Sequence, residues 1–263
     1  MILLFVIFAC VGLGLSASGQ VTAVARLGPG VPFTQAFVTP APPTPHNHPS
    51  SLLLFETFEG TGYSTVGWVE TIGGGGIVDE DYTTTVLDGA QSLFIDGPSD
   101  EVSYTIKTFT PQSIAYAYFQ FRITSVNQPL EDEWLSLFRL RDAAGFTVLK
   151  MQVDYSFFPR IVTGGVAAGT LSNIAIDTTY HAWLSWNKND GANSTATMAI
   201  STSKVQPTSG DYYVTVTTGT VIAEDASQAF LGYANDTVDD PGPEMSTIYD
   251  YVMIDDVAVP DYP

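Results

Sequence analysis

Two short acidic segments, far apart in the chain, carry the first candidate chemistry. One is Phe55-Glu56-Thr57-Phe58-Glu59-Gly60; the other is the end of an apolar run, Ile254-Asp255-Asp256-Val257. Carboxylates set among apolar residues are costly unless something pairs with or binds them. If the two segments are the first and last strands of one sheet, Glu56 or Glu59 can share a cation with Asp255 or Asp256. Calcium suits such a site, being a hard ion satisfied by carboxylates and backbone carbonyls. Neighbouring residues on a strand point to opposite faces, so only one of Asp255 and Asp256 can face inward. The competing reading is a solvated edge whose charges discourage aggregation. Asp79-Glu80-Asp81 and the acidic stretch Asp239–Glu244 read as solvated turns.

Aromatic side chains supply the second chemistry. Sugars are held by stacking on aromatic rings, with Arg, amides and carboxylates on their hydroxyls. The run Ala115-Tyr116-Ala117-Tyr118-Phe119-Gln120-Phe121-Arg122-Ile123 alternates, with Phe119, Phe121 and Ile123 on one face and Tyr116, Tyr118, Gln120 and Arg122 on the other. Tyr116, Tyr118 and Arg122 are therefore candidate ligand-binding residues, together with Tyr155, Phe157 and Phe158 at an expected turn. Trp134, Tyr212 and Tyr213 are further surface aromatics. Trp68, Trp183, Phe119 and Phe121 are expected in the core, with His181 bordering it beside Trp183. No catalytic residue is assigned: Glu131-Asp132-Glu133 follows Pro129 as a loop would, and His181 stands without a Ser-His-Asp arrangement.

The composition narrows the partners. Hydrophobic residues make up 45% and charged residues only 14%; 9 Lys and Arg stand against 28 Asp and Glu, a net charge of -19. Nucleic acid and anionic membranes require clustered cations, so both are excluded as expected partners. A glycan or cell-surface polysaccharide, or divalent cations, fit better. With Cys10 as the sole cysteine no intramolecular disulfide forms.

The elements that must position these residues follow in order. Residues 1–25 hold the apolar run Ile2–Leu15 and an Ala23-Val24-Ala25 cleavage pattern, read as a signal peptide or an apolar tether. Residues 26–50 form a Pro-rich linker carrying His46 and His48. Residues 51–263 alternate with a period of two, broken by turn signals about every 8–12 positions, as in an all-β sandwich. Strands are expected at Leu52–Phe58, Gly67–Ile72, Ser92–Asp96, Glu101–Phe109, Ile114–Thr124, Glu133–Leu140, Val148–Tyr155, Arg160–Thr163, Tyr180–Asn187, Thr195–Ser201, Tyr212–Thr218, Ala229–Ala234 and Ile248–Val259. Asn193 and Asn235 open glycosylation sequons.

Several of these segments resemble one group of proteins. Phe58-Glu59-Gly60 with Trp68, then Gly89-Ala90-Gln91-Ser92-Leu93-Phe94-Ile95, Tyr118–Ile123, Ser136–Asp142 with Gly145, Tyr180–Trp186 and the ending Ile254-Asp255-Asp256-Val257 resemble the concanavalin A-like lectin/glucanase group, including laminin G-like domains. That resemblance implies a jelly roll of two antiparallel sheets, frequent glycan binding and often a calcium ion. The expected function is an exported, lectin-like carbohydrate-binding module without catalytic activity. The alternative is a structural or adhesive subunit of an extracellular assembly, such as a phage tail or capsid appendage or a filament, with the N-terminal segment as tether; a homo-oligomer or a larger assembly is the partner expected with it. A glycan hydrolase or lyase is the third reading.

Overall fold

A computed structural model describes residues 52–60, 67–97, 102–127, 134–154, 156–233, 244–258 and 260. The N-terminal segment and linker, Glu131–Glu133, Tyr155, the Asp239–Glu244 stretch up to Pro243, and Asn235 lie outside the described residues. So do the readings attached to them.

The described chain is all β. Its strands are β1 (Leu54–Glu56), β2 (Trp68–Ile72), β3 (Ile77–Tyr82), β4 (Ser92–Gly97), β5 (Ser103–Gln112), β6 (Ile114–Asn127), β7 (Trp134–Arg141) and β8 (Thr147–Asp154). They continue with β9 (Pro159–Thr163), β10 (Val166–Gly169), β11 (Tyr180–Asp190), β12 (Asn193–Ser201), β13 (Tyr213–Thr217), β14 (Ala226–Tyr233) and β15 (Glu244–Asp255). The first sheet runs β13-β12-β11-β6-β15-β4-β3, with β1 also paired to β15; the second runs β10-β9-β8-β7-β14-β5-β2. Every described pairing is antiparallel. The result is the two-sheet sandwich that the alternation predicts.

The first and last strands meet. Leu54 lies opposite Ile254, Phe55 opposite Met253 and Glu56 opposite Val252. β15 is shared along its length: its first half pairs with β4 and its second half with β1. Between the halves its register against β6 shifts from Asp250 to Met253, and Tyr251 takes a positive φ of 47°. Such a bulge bends a strand and re-aims its side chains.

The inner faces interdigitate as expected. Phe119 of β6 stacks on Phe138 of β7 at 4.8 Å, and the buried Tyr249 hydroxyl donates to Leu137 O at 2.8 Å, tying one sheet to the other. Burial pushes the Tyr249 phenol above its ordinary range. Trp68, Phe119 and Phe121 belong to this core. Trp183 does not: it lies on the outer face of the first sheet, in a separate cluster with Tyr118, Ala199 and Met253. Trp183 does share a face with His181, but that face is the outer one. Two strands escape sequence reading. β3 carries three acids in six residues, and β10 is a largely exposed Val-Ala-Ala-Gly.

Candidate functional site

The outer face of the second sheet collects cations. β7 departs from strict alternation: its register against β8 shifts between Ser136 and Phe138. Leu137 and Phe138 both enter the core, so Ser136 and Arg139 come out on the same side, and Arg139 Nε donates to Ser136 Oγ at 3.0 Å. Arg139 pairs across the sheet with Lys150 of β8 and with Phe230 of β14. On the next row, Ser136, Gln152 and Arg160 align across β7, β8 and β9. Arg139, Arg141, Lys150 and Arg160 thus share one face, although the whole chain has only 9 Lys and Arg.

Aromatic rings form the bed on which these cations lie. The guanidinium carbons of Arg139 and Arg141 sit 5.0 and 5.5 Å from the centroid of Phe230. Tyr104 of β5 packs against the same ring at 4.5 Å. Arg160 lies over Trp134 at 3.2 Å, and its Nε and Nη2 both donate to Gln152 Oε1, at 3.1 and 3.0 Å. These contacts are cation–π pairs with added hydrogen bonds, which fix guanidinium planes. Burial lowers the Arg160 pKa to about 10, against the opposing pull of Asp154. Arg139 is 5% exposed; Tyr104, Trp134, Arg141, Lys150 and Arg160 are half-buried and reachable.

Two turns hold this face in register. Asp142 Oδ1 accepts from Ala144 N and Phe146 N, closing the β7–β8 turn, and Gly145 O accepts from Arg141 Nε at 2.6 Å. Asp154 Oδ1 accepts from Ser156 N and Phe158 N, closing the β8–β9 turn. Both are Asx-type turns in which a carboxylate replaces a missing backbone acceptor.

The outer face of the first sheet is also polar, but its central rows are buried. Ser201, His181, Gln120 and Asp250 align across β12, β11, β6 and β15. Asp250 Oδ2 accepts from Ser92 Oγ and from Asp88 N, both at 3.2 Å, and Oδ1 from Tyr251 N. One row along, Tyr118 Oη lies 2.6 Å from His181 Nδ1. Burial, with Lys204 nearby and against the pull of Asp88, lowers the His181 pKa to about 4. Burial raises the Asp250 pKa to about 8, with Glu59 adding to it and the three donors opposing. Both shifts favour the uncharged form of the buried group. A phenol and an imidazole in contact can transfer protons, yet Tyr118 is 0% and Gln120 2% exposed, so no polymer reaches them.

The expected ligand residues therefore divide. Tyr118 is closed to solvent, whereas Tyr116 and Arg122 on the same sheet are half-buried, and Arg122 pairs with the exposed Asp177 at 3.2 Å. Phe157 and Phe158 sit in the β8–β9 turn, where Phe157, with φ of 63°, packs against the core instead of projecting. Tyr155 lies outside the described residues. The four carboxylates read as metal ligands are occupied by protein donors where their bonds are seen. Glu56 accepts from Phe58 N and Trp68 Nε1, Glu59 from Ala90 N and Gln91 N, and Asp255 from Val257 N. Asp256 follows the end of β15. Among the described residues no group of three or more His, Cys, Asp or Glu is arranged to hold a metal. A cleft of about 400 Å³ beside Ser201, Asp211 and Tyr212 is lined by none of the basic residues.

Sequence reasoning missed Arg139, Arg141, Lys150, Gln152 and Arg160 as a set. The available signal was scarcity: so few cations, with several between residues 139 and 160.

No protein-family model and no curated protein sequence matches the chain. Solved structures do. An endo-β-1,4-glucuronan lyase from the fungus Trichoderma reesei superposes with a TM-score of 0.57 at 12% identity, over 78% of this chain and 95% of that one. The cellulose-induced protein Cip1 gives 0.56 at 13%, over 78% and 98%. A sialidase gives 0.52 at 11%, over 79% of this chain and 19% of the other. At these identities the likeness shows the fold alone, a jelly-roll-like sandwich of the polysaccharide lyase and sialidase type. The expectation of a lectin-like module without catalytic activity does not stand beside it. Proteins named for glycan cleavage share this fold, and the tyrosine face meant to hold sugar is closed to solvent at Tyr118.

Proposed function

We propose that this protein is a polysaccharide lyase that cleaves an acidic glycan by β-elimination on the outer face of its second sheet. The observation that carries the reading is the gathering of Arg141, Lys150 and Arg160, with the buried Arg139 beside them, on one aromatic-floored face of a chain with net charge -19. An overall negative protein that concentrates cations at one place has built a local anion site. Guanidinium groups bind carboxylates with two parallel hydrogen bonds.

Elimination suits such a face. Cations neutralise the uronate carboxylate, and the hydrogen on the adjacent carbon becomes acidic enough for a base to remove. The released electron pair forms a carbon–carbon double bond, the bond to the leaving oxygen breaks, and that oxygen takes a proton. No water is consumed. Tyr104 and Lys150 are the described proton-transfer groups on the face. Hydrolysis by the paired-carboxylate route would need two carboxylates about 5–9.5 Å apart across the bond. Among the described residues this face offers Asp154, whose Oδ1 already closes a turn. Polysaccharides are too large to enter cells, so the export expected from residues 1–25 fits the same reading.

The test is incubation with polyglucuronate, alginate and polygalacturonate, following ultraviolet absorbance of unsaturated uronate together with reducing ends. Both should rise in step on at least one polymer. Reducing ends without absorbance would make the protein a hydrolase, and silence on every acidic polymer would overturn the proposal.

A further inference from the structure

We propose that the cleft at Tyr180 and Tyr212, apart from the basic face, is a second site that holds a neutral pyranose unit of a glycan. This goes beyond the lyase reading and does not rest on it.

The cleft lies where the β12–β13 connection meets the start of β11, and its volume is about 400 Å³. That falls within the range of about 300–1,000 Å³ typical of small-molecule sites. Two tyrosines supply its rings, and the chain between β10 and β11 pins both. Tyr212 Oη donates to Asn173 O at 2.7 Å, and Tyr180 Oη accepts from Ala175 N at 2.9 Å. Tyr180 is 5% exposed and stacks on Phe121 at 5.7 Å, so it is a fixed floor. Tyr212 is half-buried and packs against the core, and its carbonyl accepts from Ile200 N at 3.1 Å. The ring is therefore held at both ends before any ligand arrives, which lowers the ordering cost of binding.

Polar groups surround the rings. Asp211 is tied down twice: its carbonyl accepts from Leu171 N at 2.9 Å, and Oδ2 accepts from Ser172 Oγ at 3.1 Å. Its Oδ1 takes no donor from the described residues. Thr202 and Ser209 add exposed hydroxyls, also without a protein partner among the described residues. A carboxylate accepts, and a hydroxyl both donates and accepts. Sugar hydroxyls can meet all three groups while the C–H face of the ring lies on tyrosine. Water satisfies the polar groups equally well; the rings favour a ligand that also has an apolar face.

Charge narrows the sugar. No Lys or Arg lines the cleft, so nothing there neutralises a uronate or a sulfate ester. Burial, then Tyr180 and Asp211, raises the Tyr212 pKa, and the phenol stays neutral. Asp211 is exposed, so water screens its charge and it serves as an acceptor more than as a cation trap.

The test is isothermal titration of the full chain with cellohexaose, xylohexaose, mannohexaose and maltohexaose, and with the protonated glucosamine hexamer. The wild-type protein is compared with Asp211→Ala and Tyr212→Leu. At least one neutral hexamer should bind saturably, and each variant should bind it about tenfold more weakly, the scale of one charge-assisted hydrogen bond or one ring contact. A merely structural role for these residues predicts wild-type affinity in each folded variant. Melting curves identify a variant that fails to fold, and the other variant then decides. Absence of saturable binding by every neutral hexamer, or wild-type affinity in a folded variant, overturns the proposal. Tighter binding of the glucosamine hexamer than of any neutral one overturns it too, and makes the cleft a cation site. None of these probes carries a carboxylate, so their failure leaves the lyase reading standing.

Discussion

Tyr118 Oη and His181 Nδ1 meet at 2.6 Å on the outer face of the first sheet, near enough to Lys204 and Asp88, themselves paired at 3.4 Å, for both charges to act on the imidazole. The pair resembles a catalytic dyad in chemistry and differs from one in access. Its bond replaces water that burial has removed, so its value is structural. Tyr118→Phe should cost about 1–3 kcal/mol, the penalty for leaving a buried acceptor unsatisfied. Urea unfolding measures that loss. Polymer cleavage should survive, since the basic face lies on the other sheet; loss of cleavage in a folded Tyr118→Phe protein would move the active site here.

The same sealed row sets a pH dependence. Asp250 has its pKa raised from 3.8 to about 8, so the native state holds its proton more tightly than the unfolded chain does. Its stabilising contribution is fully present below about pH 4 and is lost as pH rises towards 8. His181 runs the other way, lowered from 6.5 to about 4: its contribution is present above pH 6.5 and lost as pH falls towards 4. Below 6.5 the two oppose each other. Between 6.5 and 8 Asp250 acts alone, so the melting temperature should fall across that window. Asp250→Asn, neutral at every pH, should flatten it; an unchanged slope would show that another group titrates.

Much of this architecture is legible in the residues themselves. Alternation in Ala115–Ile123 separates Phe119 and Phe121 from Tyr118 and Gln120 correctly, and the acidic ends of the chain do meet through Glu56 and Val252. Alternation assigns residues to two faces but says nothing of which face loops will cover, and so Tyr118 read as exposed and Trp183 as core. The basic face was hidden for two further reasons. The β7 bulge breaks the period of two at Leu137 and Phe138, so Ser136 and Arg139 look like opposite-facing residues. Lys150 and Arg160 join them only through the β7-β8-β9 meander, a long-range fact that no local pattern carries.

Glu56 gives a separate check on the acidic segments. Its two oxygens accept from Phe58 N at 3.0 Å and Trp68 Nε1 at 3.1 Å, fixing a backbone with positive φ at Phe58 and the indole of a core tryptophan. Glu56→Ala should lower stability by about 1–3 kcal/mol, the range for losing hydrogen bonds to a charged acceptor. The drop should be the same with and without chelator in thermal melts. A wild-type protein that loses stability on chelation, and a Glu56→Ala protein that does not, would instead put a cation at this carboxylate.

Gly145 links the β7–β8 turn to the basic face. Its φ is +89°, a region that other residues adopt at a cost, and a Cβ built there would stand 3.3 Å from Arg141 Nη2. Its carbonyl also holds Arg141 Nε. Gly145→Ala should therefore act twice. The strained backbone should cost about 1 kcal/mol or more of stability. The displaced guanidinium should lower the cleavage of acidic polymer further than that loss explains, at temperatures where the variant is fully folded. Arg141→Gln, which removes the charge without straining the turn, should reproduce the loss of cleavage with little change in melting temperature. If Gly145→Ala melts lower but cleaves at the wild-type rate while Arg141→Gln is inactive, the turn supports the strand and not the arginine. If neither variant changes cleavage, Arg141 has no part in holding the polymer.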